Sequence, residues 1–302
     1  MANVTLRQLR YFEALARLRH FGRAAEACAI SQPALSVQMK DLESLLGAPL
    51  VERGPREVRL TRLGEALAPR AREVLRAVEE IEDLARASLR PFAGRLGIGV
   101  IPTVAPYLLP ALMKDLAETW PELDLRPRET VTATLVRDLL DGRLDAAVVA
   151  LPISEPALVE TPLFAEEFVL VRPLADADRP VPSAESLREM RLLLLEEGHC
   201  FRDQALDFCG LGAAPPRDLM EGSTLATLVQ MVAVGIGVTL IPEMAVPVET
   251  ASAPVSLARL TPPRPMRTIG MVWRRSSPLA DQLAIIAQRV RDVAQAAAPG
   301  PG

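Results

Sequence analysis

The sequence predicts an α/β protein that carries a separate helical module at its N-terminus. A chain of 302 residues is too long for one compact domain and suits two or three domains of roughly 100–150 residues. The first 90 residues mostly follow the apolar spacing of helices, whereas strand-like and helix-like segments alternate from residue 95 onward. With 49% hydrophobic and 24% charged residues, the chain can form a sizeable core, so global disorder is excluded.

Composition also excludes several other classes of protein. The longest apolar run, residues 228–242, is broken by Gln230 and two glycines and is shorter than the roughly 20 residues that span a bilayer. No basic region followed by an apolar stretch stands at the N-terminus, so a secretory signal is not expected. Three cysteines and two histidines without metal-ligand spacing argue against a disulfide scaffold and against a metal site. We therefore expect a soluble, cytoplasmic protein without a cofactor and without membrane contact.

The charge of the chain is unevenly distributed. Residues 1–72 carry 12 basic and 7 acidic side chains, a formal charge of +5, whereas the rest carries 22 basic and 31 acidic side chains, a formal charge of −9. A basic module on an acidic body suggests that the module binds a polyanion. Judged by charge alone, an ordinary variation in surface charge without any polyanion partner is an equally good explanation.

The N-terminal pattern favours the polyanion-binding alternative. Thr5 can cap a first helix, and an Ala-rich second helix is predicted over 23–28, after an interruption at residues 20–22. Ser31 can cap a third helix, with Pro33 in its first turn and Gly47 at its end. Two short helices joined by a tight turn have the layout of a helix-turn-helix, whose second helix places its first polar residues against base edges.

A hairpin is predicted after the third helix. Two strand-like runs, 50–53 and 57–60, flank a Gly-Pro pair and predict a small wing. Arg53, Arg56 and Arg59 are expected to contact phosphate, and Arg53 or Arg56 can enter a minor groove.

A long helix is predicted next, beginning after Thr61 and ending at about Leu89. Its apolar residues lie along one face near heptad spacing: Leu63, Leu67, Val74, Ile81 and Leu84. Such a stripe can pack on its own domain, but its length and isolation favour a coiled coil between two copies of the chain.

Several spaced motifs in this region resemble those of the LysR-type transcriptional regulators. The motifs are AA at 24–25, SQPALS at 31–36, LE at 42–43, LG at 46–47, LVER at 50–53 and LTxxG at 60–64. The resemblance implies that Gln32, Pro33 and Ser36 fall on DNA-contact positions and Arg53 on a wing contact. Many members carry Arg directly after the second Ser, where this chain has Val37, so one common contact is absent or moved.

The C-terminal body alternates strand-like and helix-like segments, which predicts an α/β body with mostly parallel sheets. The predicted strands are 96–101, 146–150, 168–171 and 192–195, and the predicted helices are 108–119, 132–140 and 223–234. The Gly-x-Gly at 235–237 could suggest a nucleotide loop. No strand precedes it and no third glycine follows at the required spacing, so close packing is the better interpretation.

The resemblance to LysR-type regulators extends into this body and completes the predicted fold. It implies a winged helix-turn-helix over 1–60, a linker helix over 61–90, and two periplasmic-binding-protein-like α/β regulatory subdomains over 91–302. Subdomain I is expected at about 91–163 and 268–302, and subdomain II at about 164–267. The chain is then expected to cross between the subdomains near residues 163 and 267.

The residues with reactive chemistry concentrate around Cys200. Cys200 lies at a predicted strand-to-helix junction beside His199 and shortly before Arg202, where helix N–H groups and positive charge would stabilise a thiolate. Cys209 lies in an apolar stretch and fits an inert core cysteine, which is the usual state of this residue. Cys28 is expected to be buried in the second helix and inert. These residues alone favour a reactive Cys200 but leave a structural one open.

A longer set of motifs resembles the peroxide-sensing OxyR branch of the family. The motifs are GHCxRDQA at 198–205, FC at 208–209, IPTVxPYLLP at 101–110 and RTIG at 267–270. The resemblance covers nearly the whole chain and implies that Cys200 is the peroxidatic cysteine and Cys209 the resolving one. It implies that Thr103, Thr132 and Gln204 hold peroxide and water, and that His199 and Arg267 stabilise the thiolate. Thr134 is a second candidate for the position of Thr132.

The function implied by the resemblance is a transcriptional activator that responds to hydrogen peroxide and is not an enzyme. Oxidation of Cys200 to sulfenic acid and a disulfide with Cys209 would change the packing of the regulatory domain and its contact with DNA. Expected partners are double-stranded DNA, RNA polymerase, further copies of the chain as a homotetramer, and thiol reductants that reset the disulfide. One alternative is a regulator of this family with structural cysteines and a small organic effector between its subdomains. A thiol peroxidase fused to a DNA-binding head is another.

Overall fold

The computed structural model describes residues 4–53, 58–89, 91–187, 189–209 and 220–297. The chain divides into two compact units, Met1–Ala85 and Arg86–Gly302. Among the described residues, no helix is long and apolar enough to cross a membrane.

The first unit contains three helices, a hairpin and most of a long fourth helix. The elements are α1 (Leu6–Leu18), α2 (Phe21–Ala27), α3 (Gln32–Leu46), β1 (Val51–Arg53), β2 (Val58–Leu60) and α4 (Arg62–Leu89). The predicted caps are confirmed: Thr5 forms a capping box with Gln8, the Ser31 hydroxyl accepts a hydrogen bond from the Ala34 N–H at 3.3 Å, and Gly47 ends α3 at φ 73°. The predicted hairpin is confirmed as the antiparallel pair β1 and β2.

The second helix begins earlier than predicted. The sequence places an interruption at residues 20–22, but α2 begins at Phe21 because His20 acts as its N-cap. The His20 Nδ1 accepts a hydrogen bond from the Arg23 N–H at 3.2 Å. Histidine is outside the usual set of capping residues, which explains why the pattern did not predict this start.

The core of the first unit separates the two faces of α3. Leu35, Met39 and Leu42 are fully buried, whereas Val37 on the other side is 55% exposed. The apolar stripe of α4 is also divided. Leu67 packs against the helical core, and the other members with described side chains, Leu63, Val74 and Ile81, are 41%, 45% and 66% exposed. The side chain of Leu84 lies outside the described part of the structure.

The second unit is built on one mixed sheet with helices around it. Its strands are β3 (Gly94–Val100), β4 (Leu123–Glu129), β5 (Ala146–Leu151), β6 (Leu158–Pro173), β7 (Leu192–Leu195), β8 (Met220–Gly222), β9 (Val238–Pro242), β10 (Val255–Arg259) and β11 (Met266–Arg274). Its helices are α5 (Ala105–Thr119), α6 (Thr132–Leu140), α7 (Ala184–Leu187), α8 (Cys200–Phe208), α9 (Leu225–Ala233), α10 (Val246–Glu249) and α11 (Ala280–Ala297). The strand order is β4-β3-β5-β11-β6-β9-β7-β8, with β10 paired to β6.

The expectation of mostly parallel sheets holds only at the two ends of this sheet. β3 pairs in parallel with β4 and β5, and β7 pairs in parallel with β8 and β9. In the middle, β11 runs antiparallel to β5 and β6, and β6 runs antiparallel to β9 and β10. The prediction missed this because β11 and most of β6 were not recognised as strands.

The long strand β6 connects two apolar cores. Leu158 and Leu163, in its first half, belong to a core with β3, β5 and β11. Phe168 and Leu170, in its second half, belong to a core with β7 and β9. The predicted crossings near residues 163 and 267 fall within β6 and at the start of β11. The limits assigned to the domains stay a prediction.

The Gly-x-Gly at 235–237 lies between a helix and a strand, the reverse of the strand–loop–helix order of a nucleotide loop. Gly235 ends α9 in the left-handed region at φ 78°, and a Cβ on Gly237 would lie 2.3 Å from the carbonyl oxygen of Arg191. This second distance confirms close packing as the role of Gly237.

We expect Gly237→Ala to lower the free energy of unfolding by about 1–3 kcal/mol, because the backbone oxygen it would meet cannot rotate away. Urea denaturation of the full chain measures this change. Gly97→Ala is the matched control, since a Cβ there would meet its nearest atom at an ordinary 3.5 Å. Equal loss of stability in both variants would contradict the packing argument.

Candidate functional site

A narrow cavity lies where loops after β3, β4 and β7 meet. Its lining residues are Ile101, Pro102, Thr103, Val131, Thr132, His199, Cys200 and Phe201, around about 170 Å³ of empty space. Each loop leads directly into a helix: α5 begins at Ala105, α6 at Thr132 and α8 at Cys200. The carboxyl ends of parallel strands are the usual place for a ligand in such sheets. Helix N-termini carry partial positive charge, so the arrangement favours an anion.

Cys200 is the first residue of α8 and follows β7, which confirms the predicted strand-to-helix junction. His199 is the N-cap but forms no side-chain capping bond, so the thiol of Cys200 lies at a helix start that no side chain caps. Cys200 is a half-buried free cysteine that packs against the core formed by β3, β5 and β11, hereafter the first core. A thiolate at this place gains from the helix N–H groups, which makes Cys200 a candidate nucleophile.

Arg267 lies behind Thr103 and does not line the cavity. Its buried guanidinium donates from Nη1 to the Thr103 hydroxyl at 2.7 Å and from Nη2 to the Thr103 carbonyl oxygen at 3.0 Å. It also lies over the Phe201 ring, with 5.3 Å between Cζ and the ring centre. Arg267 therefore holds both Thr103 and the residue next to Cys200.

Sequence reasoning missed Glu166, the carboxylate partner of Arg267. Glu166 Oε1 accepts from Arg267 Nε at 2.9 Å, and Glu166 is 7% exposed. The two residues face each other in the antiparallel register of β6 and β11. An acidic pair within an otherwise apolar stretch was the available signal, but without β6 recognised as a strand it had no interpretation.

The structure separates the two threonine candidates on α6. Thr132 lines the cavity, and its buried Oγ1 forms no hydrogen bond. Thr134 Oγ1 instead accepts from Arg137 Nη2 at 3.3 Å on the outer side of the helix. The Thr132 hydroxyl is thus available to a polar ligand, since a buried polar group without a partner is costly.

Gln204 lies one turn beyond Cys200 on α8 and outside the cavity lining. Its buried Oε1 also has no hydrogen-bond partner. Residues four apart share a helix face, so Gln204 lies on the same side of α8 as Cys200. Thr132 and Gln204 are therefore two unpartnered polar groups in the surroundings of one thiol.

The sequence positions of His199 and Arg202 suggested positive charge beside Cys200, and the structure shows that neither side chain supplies it. Burial lowers the pKa of His199, although the Glu196 carboxylate opposes the shift, so the imidazole is neutral near pH 7. It can support a thiolate as a hydrogen-bond donor but not as a cation. Arg202 is buried, pairs with Glu221 and donates to the Leu195 carbonyl oxygen at 3.0 Å. Its charge is neutralised away from the cavity.

Cys209 lies at the other end of α8. It is fully buried in the core formed by β7 and β9, hereafter the second core, whereas Cys200 packs against the first core. Nine residues of helix separate the two Cα atoms by about 13 Å along the axis, and a disulfide requires about 4.4–6.8 Å. The structure therefore holds the reduced pair apart.

The expectation that Cys28 is buried in the second helix is wrong. Cys28 is half-buried at the C-cap of α2. Burial raises the pKa of the Cys28 thiol, and the Glu13 carboxylate adds to the increase. A thiol with a raised pKa is a poor nucleophile, in line with its expected inertness. Among the described residues, no three or more His, Cys, Asp or Glu side chains are grouped so that they could hold a metal ion.

The start of α3 presents the predicted DNA-contact residues. Gln32 and Pro33 are exposed and Ser36 is half-buried. Arg59 on β2 is also exposed. The side chain of Arg53 and the whole of Arg56 lie outside the described residues. The roles assigned to all of these side chains stay predictions.

Two family models match the chain. Residues 6–65 match the bacterial regulatory helix-turn-helix protein, lysR family, and residues 90–295 match the LysR substrate binding domain.

Individual relatives match almost from end to end. The chain is 45% identical over 292 residues to a "Probable hydrogen peroxide-inducible genes activator" of Streptomyces viridosporus, covering 95% of this chain and 94% of the relative. It is 41% identical over 292 residues to the DNA-binding transcriptional dual regulator OxyR of Escherichia coli strain K12, covering 95% of each.

Solved structures agree with these matches. A full-length OxyR from Pseudomonas aeruginosa with a cysteine-to-aspartate substitution has a TM-score of 0.76 and 38% identity, covering 96% of this chain and 95% of that one. A peroxide-bound cysteine-to-serine mutant of Corynebacterium glutamicum OxyR has a TM-score of 0.66 and 36% identity, covering 97% and 93%.

We expect His199 to make folding less favourable in mild acid. Its pKa is lowered in the folded state, so the unfolded chain binds the extra proton first as the pH falls below about 6.5. Stability linked to His199 is therefore complete above that pH and is lost as the pH falls through the folded pKa. Unfolding free energies of the wild type and His199→Gln between pH 7 and pH 5 should diverge, with the wild type falling more steeply. Parallel curves would contradict the lowered pKa.

Proposed function

The chain belongs to the LysR family of bacterial regulators, and we propose that it is a transcriptional regulator that senses hydrogen peroxide through Cys200. The observation that carries this proposal is the placement of the thiol. Cys200 begins α8 in a narrow cavity beside Thr103 and the unpartnered hydroxyl of Thr132. Relatives that match over nearly the whole chain are named hydrogen peroxide-inducible genes activators, which supports the same signal.

The first chemical step is an attack of the Cys200 thiolate on one oxygen of peroxide. The O–O bond breaks, the sulfur is oxidised to sulfenic acid, and the leaving hydroxide takes a proton and becomes water. Hydroxyls of Thr103 and Thr132 and the neutral imidazole of His199 are the donors around the cavity. Gln204 can accept a hydrogen bond from peroxide or water one helical turn away.

The size of the cavity argues against an organic effector at Cys200. About 170 Å³ is well below the roughly 300–1,000 Å³ typical of sites for drug-sized ligands. A second cavity, lined by Tyr107, Glu166 and Glu243 among others, has about 1080 Å³ of empty space by the same measure, more than six times as much as the Cys200 cavity. Three of its polar side chains already have protein partners: Tyr107 bonds Glu249, Glu166 bonds Arg267, and Glu243 bonds Arg259. These polar groups therefore need no ligand to complete their hydrogen bonds, whereas the Thr132 hydroxyl in the Cys200 cavity does.

The second chemical step joins the two cysteines. The Cys209 thiol attacks the sulfenic sulfur, a disulfide forms, and water leaves. Because the cysteines lie at opposite ends of α8 and in different cores, α8 has to unwind. Unwinding breaks the contacts of Arg202 with Glu221 and Leu195 and removes Phe201 from its packing on Phe168, where the ring centres are 4.7 Å apart. A thiol reductant would restore the starting state.

The repacking of α8 is the signal that the rest of the molecule would transmit. We assign DNA binding to residues 1–60, linkage to 61–90 and sensing to 91–302, with the subdomain limits predicted above. The exposed Leu63, Val74 and Ile81 on α4 support pairing of two copies through a coiled coil. A homotetramer that contacts RNA polymerase in the cytoplasm and activates antioxidant genes completes the proposal.

The cysteine variants separate the two chemical steps. We expect Cys200→Ser to abolish oxidation and response, because it removes the nucleophile. Cys209→Ser should still form sulfenic acid but no disulfide, and Cys28→Ser, the matched control, should behave as the wild type. Mass spectrometry after a small molar excess of peroxide identifies each product, and hydrogen exchange over residues 196–209 reports the unwinding of α8.

Two results would contradict this scheme. Equal peroxide reactivity of all three thiols would remove the sensor, and a regulatory response that survives Cys200→Ser would favour the organic-effector alternative. Unchanged hydrogen exchange in protein with a confirmed disulfide would instead overturn only the unwinding step. Catalytic turnover of peroxide with a reductant would favour a peroxidase.

The exposed start of α3 leads to a prediction about DNA. We expect Gln32→Ala or Ser36→Ala to weaken specific binding by about 1–3 kcal/mol while non-specific binding changes little, because base contacts carry specificity. Ser44→Ala, on an exposed position near the end of the same helix, is the matched control. Binding titrations on specific and random duplexes at several salt concentrations measure both effects. An equal loss on both duplexes would assign these residues to phosphate contact instead.

A further inference from the structure

The buried pair of Glu166 and Arg267 connects two strands directly behind the reactive cavity. We propose that Glu166 is a positioning residue for the reaction of Cys200 with peroxide, acting through Arg267 and Thr103; this inference rests on the proposed function. Glu166 Oε1 is 2.9 Å from Arg267 Nε and 2.8 Å from Arg267 Nη2. The Arg267 side chain is 0% exposed and that of Glu166 is 6% exposed.

Burial makes Arg267 dependent on its partner. An arginine cannot lose its charge in a protein, and a buried charge without compensation is strongly destabilising. Within the described residues, Glu166 is the only carboxylate paired with Arg267. Glu166 is itself held in place, because its Oε2 accepts from the Met244 N–H at 3.0 Å. The position of the guanidinium therefore follows from the position of Glu166.

The position of Arg267 decides the direction of the Thr103 hydroxyl proton. Guanidinium groups are donors only, so Thr103 Oγ1 must act as the acceptor in its 2.7 Å bond with Nη1. The hydroxyl then keeps its own proton for another acceptor. Since Thr103 lines the same cavity as Cys200, a peroxide oxygen bound there is such an acceptor.

This arrangement supplies what the first chemical step needs. The hydroxide that leaves when the O–O bond breaks requires a hydrogen-bond donor already aimed at it, and preorganised donors of this kind contribute strongly to rate. If Glu166 is neutralised, Arg267 loses its anchor, and the Thr103 hydroxyl is free to rotate. The attack by the sulfur itself does not use Thr103, so only reactions that expel a hydrogen-bonded oxygen should slow.

Two reactions of the same thiol test this difference in the full chain. The first is loss of the Cys200 thiol with hydrogen peroxide, followed by rapid quenching and mass spectrometry. The second is its alkylation by iodoacetamide, which expels iodide and needs no aimed proton. We expect Glu166→Gln to slow the peroxide reaction by about tenfold to a hundredfold and to change alkylation by less than about twofold.

The neighbouring carboxylate provides the matched control. Glu167 is also ion-paired, but with Arg259 and Arg264, and it faces Met266 in the register of β6 and β11. Glu167→Gln should leave both reactions unchanged. A double variant with Glu166→Gln and Arg267→Met removes both buried charges, so its unfolding free energy should exceed that of Arg267→Met alone. Its peroxide reaction should remain slow, which separates positioning from folding and keeps the test valid if a single variant fails to fold.

Three results would overturn the proposal. They are an unchanged peroxide rate in Glu166→Gln, an equal fall of both reactions, and a peroxide rate in the double variant that recovers together with stability. The wild type distinguishes this failure from that of the proposed function. If its Cys200 reacts with peroxide no faster than Cys28 or Cys209, the sensor itself is wrong, whatever Glu166 does.

Discussion

The antiparallel pairing of β6 and β11 is the constraint on which the regulatory part of the structure depends. These two strands lie in the middle of the mixed sheet, and β6 contributes side chains to both apolar cores. Their register places Glu166 opposite Arg267, and Arg267 reaches from there to Thr103 and to the Phe201 ring. The surroundings of Cys200 are therefore assembled from elements more than 150 residues apart in the chain, at the carboxyl ends of strands from both halves of the sheet.

Under the proposed function, the same division into two cores explains how oxidation of Cys200 would change the packing of α8. Cys200 packs on one core and Cys209 lies inside the other, with the regular helix α8 between them. The helix is stable as long as both ends stay in place, and a disulfide can form only if one end leaves its core. Packed cores do not deform continuously, so the proposed disulfide would switch this region between two distinct arrangements.

Local rules predicted most of the N-terminal unit and the position of Cys200 at a helix start. Caps at Thr5 and Ser31, the left-handed end at Gly47 and the strand-to-helix junction before Cys200 each depend on residues within about one turn, and each is confirmed. The start of α2 was misplaced because His20 is an unusual cap. The resemblance of spaced motifs to a known family added two predictions, the two regulatory subdomains and the roles of Cys200 and Cys209.

What the sequence by itself determined is thus the local structure that places Cys200 at the start of a helix. The tertiary structure alone decided which threonine reaches the cavity, that partial burial lowers the pKa of His199, and that Arg202 pairs with Glu221. It also decided that the central strands are antiparallel and that Glu166 faces Arg267. These features depend on register and burial between distant segments. Spacing along the chain carries no information about which distant charge or carbonyl a buried side chain will meet.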